Sequence, residues 1–324
     1  MKKWLTYLTV LVLFFASCEK NEMPIPPHPP GETTPSTVVM GTLYADQIWY
    51  NIESNTEVSR NKKTIWDLAF DCSEDGFHVL LNSANRMQVA LTNDSNLGTV
   101  TDTFGLEFTW DSHTGNLDST GIGDWRTTSN LYVIDRGLDE VGKSLGQAKI
   151  IFDSLNETTY FFRFADFDGD TWTSASVKKD SLFTHSYFTF SNGGKTLSIA
   201  PPKTDWDFCF TQYTYIYYDM NPVVAYTVTG VVLNRTSPFS IQIFDKPFAD
   251  ITSDDIVKYP SKPRVDNIGF DWKYYDFDAG YYITKPNKNY IFKAQSGKMF
   301  KIHFLDWYND KGEKGTASFE YSEL

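Results

Sequence analysis

Trp66-Asp67-Leu68-Ala69-Phe70 and Trp206-Asp207-Phe208-Cys209-Phe210 are one phrase written twice, 206 − 66 = 140 positions apart. Fixed-period self-similarity marks a copied structural unit, so the rest of the chain is read against that offset. Downstream, Ile151-Phe152 matches Ile291-Phe292, and Phe162-Arg163-Phe164-Ala165-Asp166-Phe167 matches Ile302-His303-Phe304-Leu305-Asp306-Trp307, again at 140. Upstream, Ile48-Trp49-Tyr50-Asn51 aligns with Phe188-Thr189-Phe190-Ser191 at the same offset. Ile122-Gly123-Asp124-Trp125 resembles Ile268-Gly269-Phe270-Asp271-Trp272 with a few residues of slippage.

The matched segments alternate. Trp66, Leu68 and Phe70 fall to one side of an extended chain, and Asp67, Ala69 and Asp71 to the other. Phe300, Ile302 and Phe304 likewise oppose Lys301 and His303. A period of two is the signature of half-buried antiparallel strands. Asn192-Gly193-Gly194, Asp168-Gly169-Asp170 and Asn309-Asp310-Lys311-Gly312 supply turns between them. No window of a dozen residues carries a helical stripe; Thr252 to Lys258 suits one or two turns, capped by Thr252 or Ser253. The expected fold is all-β, two tandem antiparallel modules at 40–183 and 184–324. Asp166-Phe167-Asp168-Gly169-Asp170 has alternating carboxylates. Counted from Asp166, however, a calcium loop would need Gly where Thr171 stands and Glu where Val177 stands, so it reads as a hairpin turn.

The N-terminus adds an address. Met1-Lys2-Lys3 is cationic, Leu5 to Ala16 is an apolar run, and Ala16-Ser17 puts small residues before Cys18. Charge, apolar core and small residues in that order make residues 1–17 a secretory signal. A cysteine at the cleavage point makes it the lipoprotein kind, with Cys18 acylated. Acyl chains at ~0.8 kcal/mol per buried methylene then anchor the chain to a membrane. Residues 18–39, with Met23-Pro24-Ile25-Pro26-Pro27-His28-Pro29-Pro30, are too rich in proline to pack a core and read as an extended tether. The net charge of −12 excludes a nucleic-acid partner, since phosphate binding needs a cationic face. Beyond Cys18 only Cys72 and Cys209 remain, which is no disulfide scaffold, and the alternation does not point to a bridge between them.

The framework series is Tyr44-Ala45-Asp46-Gln47-Ile48-Trp49-Tyr50, the two tryptophan phrases, Tyr226-Thr227-Val228-Thr229-Gly230-Val231-Val232-Leu233-Asn234, Ile268-Gly269-Phe270-Asp271-Trp272-Lys273 and Lys301 to Asn309. Over essentially the whole mature chain it resembles the long form of the HmuY family of Gram-negative anaerobes, whose short, haem-binding members look like the second module alone. The resemblance implies an all-β fold, outer-membrane lipid anchorage, on the periplasmic face or the cell surface, and capture of haem for a TonB-dependent receptor. In the haem-binding members two side chains, His or Met, hold the iron. One comes from a stretch corresponding to 240–262, the other from the turn after the tryptophan matching Trp272. This sequence has neither His nor Met from 221 to 298, and Phe277 stands five past Trp272, so that pair does not carry over.

Haem iron accepts imidazole, thioether or phenolate. In the first module the stretch between Asn82 and Trp125 matches the ligand-bearing stretch of the second, and its candidates are Met87 and His113, against a core methionine and a loop histidine. Tyr213, Tyr215, Tyr217 and Tyr218 form an aromatic strand face that could supply a phenolate. His303 falls on the Lys301 side and reads as a surface residue, and His78 and His185 have no evident partner. No nucleophile–base set, zinc spacing or phosphate loop appears, which argues against an enzyme. A glycan- or peptide-binding surface module and a structural lipoprotein remain alternatives on the same fold.

Overall fold

The computed structural model describes residues 31–236 and 238–324. The signal peptide, Cys18 and the proline-rich run lie outside the described residues. The first half carries β1 (Thr34–Val39), β2 (Asp46–Asn51), β3 (Thr56–Lys62), β4 (Leu68–Asp71), β5 (Val79–Leu81), β6 (Gln88–Leu91), β7 (Tyr132–Asp135), β8 (Gln147–Leu155), β9 (Thr159–Asp166) and β10 (Thr173–Lys178). The second carries β11 (His185–Thr189), β12 (Lys195–Leu197), β13 (Phe208–Tyr217), β14 (Val224–Leu233), β15 (Ser240–Ile243), β16 (Ser261–Lys262), β17 (Lys273–Asp276), β18 (Tyr281–Thr284), β19 (Asn289–Lys293), β20 (Met299–Tyr308) and β21 (Lys314–Glu323). A single helical turn, α1 (Asp255–Lys258), lies inside the stretch expected to be helical. The fold is all-β, and every named strand pair is antiparallel.

The strands form two similar sandwiches. In one, the sheet β12-β11-β4-β5 covers the sheet β10-β9-β8-β7-β6. In the other, β14-β13-β2-β3 covers β1-β21-β20-β19-β15-β16. Leu68, Phe70, Phe162 and Phe188 meet in the first core; Ile48, Tyr50, Phe208, Phe210, Trp272 and Phe319 meet in the second.

Strand pairing does not follow the boundary expected at 183/184. β2 pairs with β13, and β11 pairs with β4, so each copy lends its first strand to the other copy's sandwich. One unit is built from 63–199, the other from 31–62 together with 200–324. The tether is shorter than expected, because Thr34–Val39 is already strand β1, paired along β21.

The repeated aspartate explains the exchange. Asp67 N–H bonds the Phe188 carbonyl at 2.8 Å, and Asp207 N–H bonds the Tyr50 carbonyl at 2.9 Å. Asp67 carboxylate oxygen Oδ2 accepts the Phe190 N–H, and Asp207 Oδ2 accepts the Ile52 N–H, both at 2.8 Å. Tyr50 is thus equivalent to Phe188, an offset of 188 − 50 = 138. The expected match of Ile48 with Phe188 is two residues out of register, an error that alternation hides because a shift of two keeps every side chain on its own face. Asn82 and Asn234 complete the parallel: their amides donate to the carbonyls of Lys63 and Trp66, and of Lys203 and Trp206.

The tryptophans themselves depart from the simple alternation. β4 begins only at Leu68, and Trp66 follows the short 3-10 helix Lys63–Ile65. Trp66 and Trp206 therefore leave the cores that Leu68 and Phe208 enter. They pack with Trp49, Ala69, Tyr187 and Cys209 in a third apolar layer where the two units meet. Strict alternation over Trp206-Asp207-Phe208-Cys209 would set Cys209 opposite Trp206; instead the two share a layer, and both Cys72 and Cys209 are free thiols. β20 is also covered on both sides: Lys301 is buried and donates to the carbonyls of Phe248 and Ile251. His303 is not a surface residue, since it stacks on Phe248 at 4.3 Å and bonds Glu320.

Candidate functional site

Met87 is 1% exposed in the first core, in the cluster that holds Leu81, Val89 and Trp125. His113 lies elsewhere, at the joint between the units. Its Nδ1 is 2.7 Å from Asp266 Oδ2, its ring stacks on Tyr215 at 4.1 Å, and Arg264 completes the cluster around Asp266. The structure does not bring the two candidate ligands together. The cavity beside His113 measures about 140 Å³, below the ~300–1,000 Å³ of ordinary ligand pockets. Tyr213 of the tyrosine group is buried, and burial holds its phenol well above the ordinary range.

A larger opening exists in the second unit. β14 is the outermost strand of its sheet. At Val231 it exchanges two backbone hydrogen bonds with Gly269, of 2.9 and 3.1 Å. The approach is so close that a Cβ on Gly230 would sit 2.2 Å from the Gly269 carbonyl oxygen, so only glycine fits there. Past that crossing the two chains diverge. β14 continues toward Val224, while 270–273 leads into the β17–β18 hairpin. Between them lies a cleft of about 640 Å³, lined by Tyr217, Tyr226, Phe270, Tyr274, Tyr275, Phe277 and Tyr282, with Tyr44 and Trp307 at its base.

Lys273 closes the narrow end. Its Nζ lies 4.1 Å from the Trp272 ring centre and 4.3 Å from that of Trp307, and donates to the Thr229 carbonyl at 2.6 Å. Cation–π contact favours the ammonium form, yet burial wins and brings the group down to about 7, with Asp271 opposing the fall. Trp272 in turn stacks on Phe304 at 4.1 Å, which fixes the floor to the core. At the open end Phe277 is 89% exposed, and Tyr226, Tyr274, Tyr275 and Tyr281 are each more than two-fifths exposed.

The sequence carries a signal for this cleft apart from any iron ligand. Lys273-Tyr274-Tyr275 and Tyr281-Tyr282-Ile283 place two adjacent tyrosines on each arm of a hairpin. Neighbouring residues of a strand face opposite ways, so a two-stranded arm cannot bury both members of either pair. Exposed aromatic faces on a projecting hairpin follow directly.

Haem, which the resemblance implies, can be tested against these residues. The cleft offers aromatic faces to a flat ring and Lys273 and Lys285 to acidic substituents. It offers no imidazole, thioether or thiolate among its lining residues; of the usual haem-iron ligands it carries tyrosine hydroxyls alone. The residues therefore suit a planar, largely apolar ligand and do not suit His or Met ligation.

The profile of the HmuY protein family matches residues 43–321, which is 321 − 43 + 1 = 279 of the 324 positions. Among solved structures the chain is similar to the apo HmuY analogue of Tannerella forsythia, at 9% identity and TM-score 0.26, covering 90% of this chain and 97% of that one. It is similar also to apo PinO from Porphyromonas gingivitis, at 9% identity and TM-score 0.27, with the same 90% and 97% coverage. No curated protein matches. With the family match running from before the first tryptophan phrase to the last strand, this chain belongs to the HmuY family.

Proposed function

We propose that this chain is a lipid-anchored cell-envelope protein that binds a planar tetrapyrrole, haem or its iron-free porphyrin, in the cleft between β14 and the β17–β18 hairpin. Attachment to the outer membrane through Cys18, and delivery to a TonB-dependent receptor, belong to the same proposal. So does a binding rather than a catalytic role. The carrying observation is the aromatic cleft itself, set beside the turn after Trp272 where the family resemblance places a ligand-bearing turn. Tyr226, Tyr274 and Tyr275 would stack on the ring, Lys273 and Lys285 would face carboxylates, and Phe277 would shield the rim. Bound haem would supply an iron centre, and tyrosine hydroxyls of the cleft would be the groups offered to it.

Titration of the purified protein with haemin tests this. A sharpened Soret band is expected, lost in Tyr226→Ala and Tyr275→Ala and retained in Met87→Ala and His113→Ala. Comparable affinity for iron-free protoporphyrin would locate the binding energy in stacking. No spectral change with oxidised or reduced haemin sinks the proposal.

One observation favours a second reading. A recess of about 320 Å³ shares Tyr44, Gln212 and Thr227 with the cleft, and reaches Asn85, Arg86, Asp139 and Glu140. Asn85 is 1% exposed, and both its amide atoms lack protein partners among the described residues. Planar polar groups beside aromatic faces also suit a sugar, and glycan-array binding without a Soret change would select that reading.

A further inference from the structure

The cleft is also a gap in a β-sheet. Along β14 alternate residues present N–H and C=O to the same side. Val231 faces away from β13, since both its backbone groups bond Gly269, and Leu233 N–H bonds Val265 on that same side. Thr229, Thr227 and Ala225 therefore face outward too. The Thr229 carbonyl takes the Lys273 ammonium, whereas the N–H and C=O groups of Thr227 and Ala225 meet no partner among the described residues. Across the cleft, β17 pairs with β18 alone; on its other edge the Lys273 N–H bonds the Phe270 carbonyl at 3.5 Å, while the N–H and C=O of Tyr275 meet no partner among the described residues. Two unsatisfied strand edges thus face a common space that a single side chain, Lys273, spans.

We propose that an extended peptide segment of a partner protein docks in this gap as an added strand, completing one sheet from β18 through β17 and β14 to β3. Backbone edges dictate an extended main chain, because strand addition draws its affinity from ladder hydrogen bonds and its specificity from alternate side chains. The aromatic walls call for apolar or β-branched side chains at those alternate positions. In the β13–β14 turn Asp219 lies two positions past the lining residue Tyr217, and at the β17–β18 turn Asp276 and Asp278 flank the lining residue Phe277, so the segment carries Lys or Arg at its ends. Strand and tetrapyrrole compete for the same volume. Resting on the binding proposed above, strand docking expels the ring, which gives the partner a means of unloading it.

Hydrogen–deuterium exchange on the full chain in detergent micelles tests both parts, with the peptide Ac-KVTVTK-NH2 as probe. Amide exchange at Ala225 and Thr227 slows about tenfold when nine-tenths of the protein is loaded, since exchange then waits on the free fraction. The same peptide N-methylated at alternate residues gives no protection, and neither does Thr227→Pro, which removes an outward N–H that no ladder uses. Absence of protection, or equal protection by the N-methylated peptide, overturns strand docking whatever haemin does. Protection that persists beside a saturated Soret band overturns the competition. Protection without any Soret band leaves docking intact and removes the tetrapyrrole instead.

Discussion

His185 and Asp111 show how burial sets chemistry one residue at a time. His185 is closed off beneath the joint, and desolvation first, then the nearby Arg235 charge, bring its imidazole down to about 3. The unfolded chain protonates it near ~6.5. Its contribution to stability is therefore complete above that value and is lost as pH falls from about 6.5 toward 3. Asp111 works the other way, raised to about 6 by desolvation against hydrogen bonds from Gly121 and Leu81. Its contribution is complete below the unfolded value of 3.8 and lost as pH rises toward about 6. His185→Asn removes the first effect. The stability lost by wild type between about pH 5.5 and 4.5 shrinks in this variant by ~1.3 kcal/mol, close to one proton over one pH unit. Identical pH profiles for the two proteins in thermal melts would mean His185 titrates freely. At this scale the sequence told which residues could ligate iron and not where they would lie. Met87 and His113 have the right atoms, but one is core and the other is clamped by Asp266.

At the scale of the element, the Trp-Asp phrase is a clamp on a crossing strand. Asp67 accepts the Phe190 N–H and the Thr189 hydroxyl, and also pairs with Arg136 at 2.9 and 3.1 Å. Asp207 accepts the N–H groups of Ile52 and Gln295, has no ion-pair partner among the described residues, and burial raises its carboxyl. Asp207→Ala strands one buried donor, the Ile52 N–H, and one half-buried donor, the Gln295 N–H, and should cost ~2–4 kcal/mol, at ~1–3 for the buried group and less for the other. Asp67→Ala also leaves the mostly buried Arg136 without its carboxylate and should cost more, ~3–5 kcal/mol. Urea midpoints with unchanged slopes measure both; a cost for Asp67→Ala no greater than that for Asp207→Ala would show that the Arg136 pair adds nothing. Alternation, turn chemistry and the double phrase were legible because strand period and glycine geometry are local properties. The two-residue register shift and the kink that turns Trp66 away from Leu68 were not, since both are set by which strand arrives across the clamp. The Tyr-Tyr pairs of the β17–β18 hairpin are legible as well, since adjacent strand residues face opposite ways, although tyrosines paired in this way mark an aromatic surface rather than a metal-ligand spacing.

At the scale of the whole molecule, exchange of first strands ties the copies into one cooperative object. The second core takes Val38, Met40, Ile48, Tyr50 and Ile52 from the N-terminal segment, so residues 184–324 alone lack a wall of their own sandwich. The duplication was readable from sequence, and the exchange was not, because a repeat looks the same whether a strand pairs within its copy or across to the other. The ends of the second unit lie side by side: Gly31 N–H bonds the Glu323 carbonyl at 2.9 Å, and the Ser322 hydroxyl bonds the Gly31 carbonyl at 2.7 Å. Adjacent surface termini are where a chain can be rejoined without disturbing the core. A permuted single unit, residues 200–324 joined through a short Gly/Ser linker to 31–62, should therefore unfold in one cooperative transition and keep the aromatic cleft. Its stability should fall below that of the full chain, because the layer of Trp49, Trp206 and Cys209 loses its cover of Trp66 and Tyr187. Residues 184–324 expressed alone should show no cooperative transition. Calorimetry on the two fragments decides the matter: a sharp melt from 184–324, with none from the permuted unit, would mean that each copy folds on its own strands and that the exchange is not what builds the sandwiches.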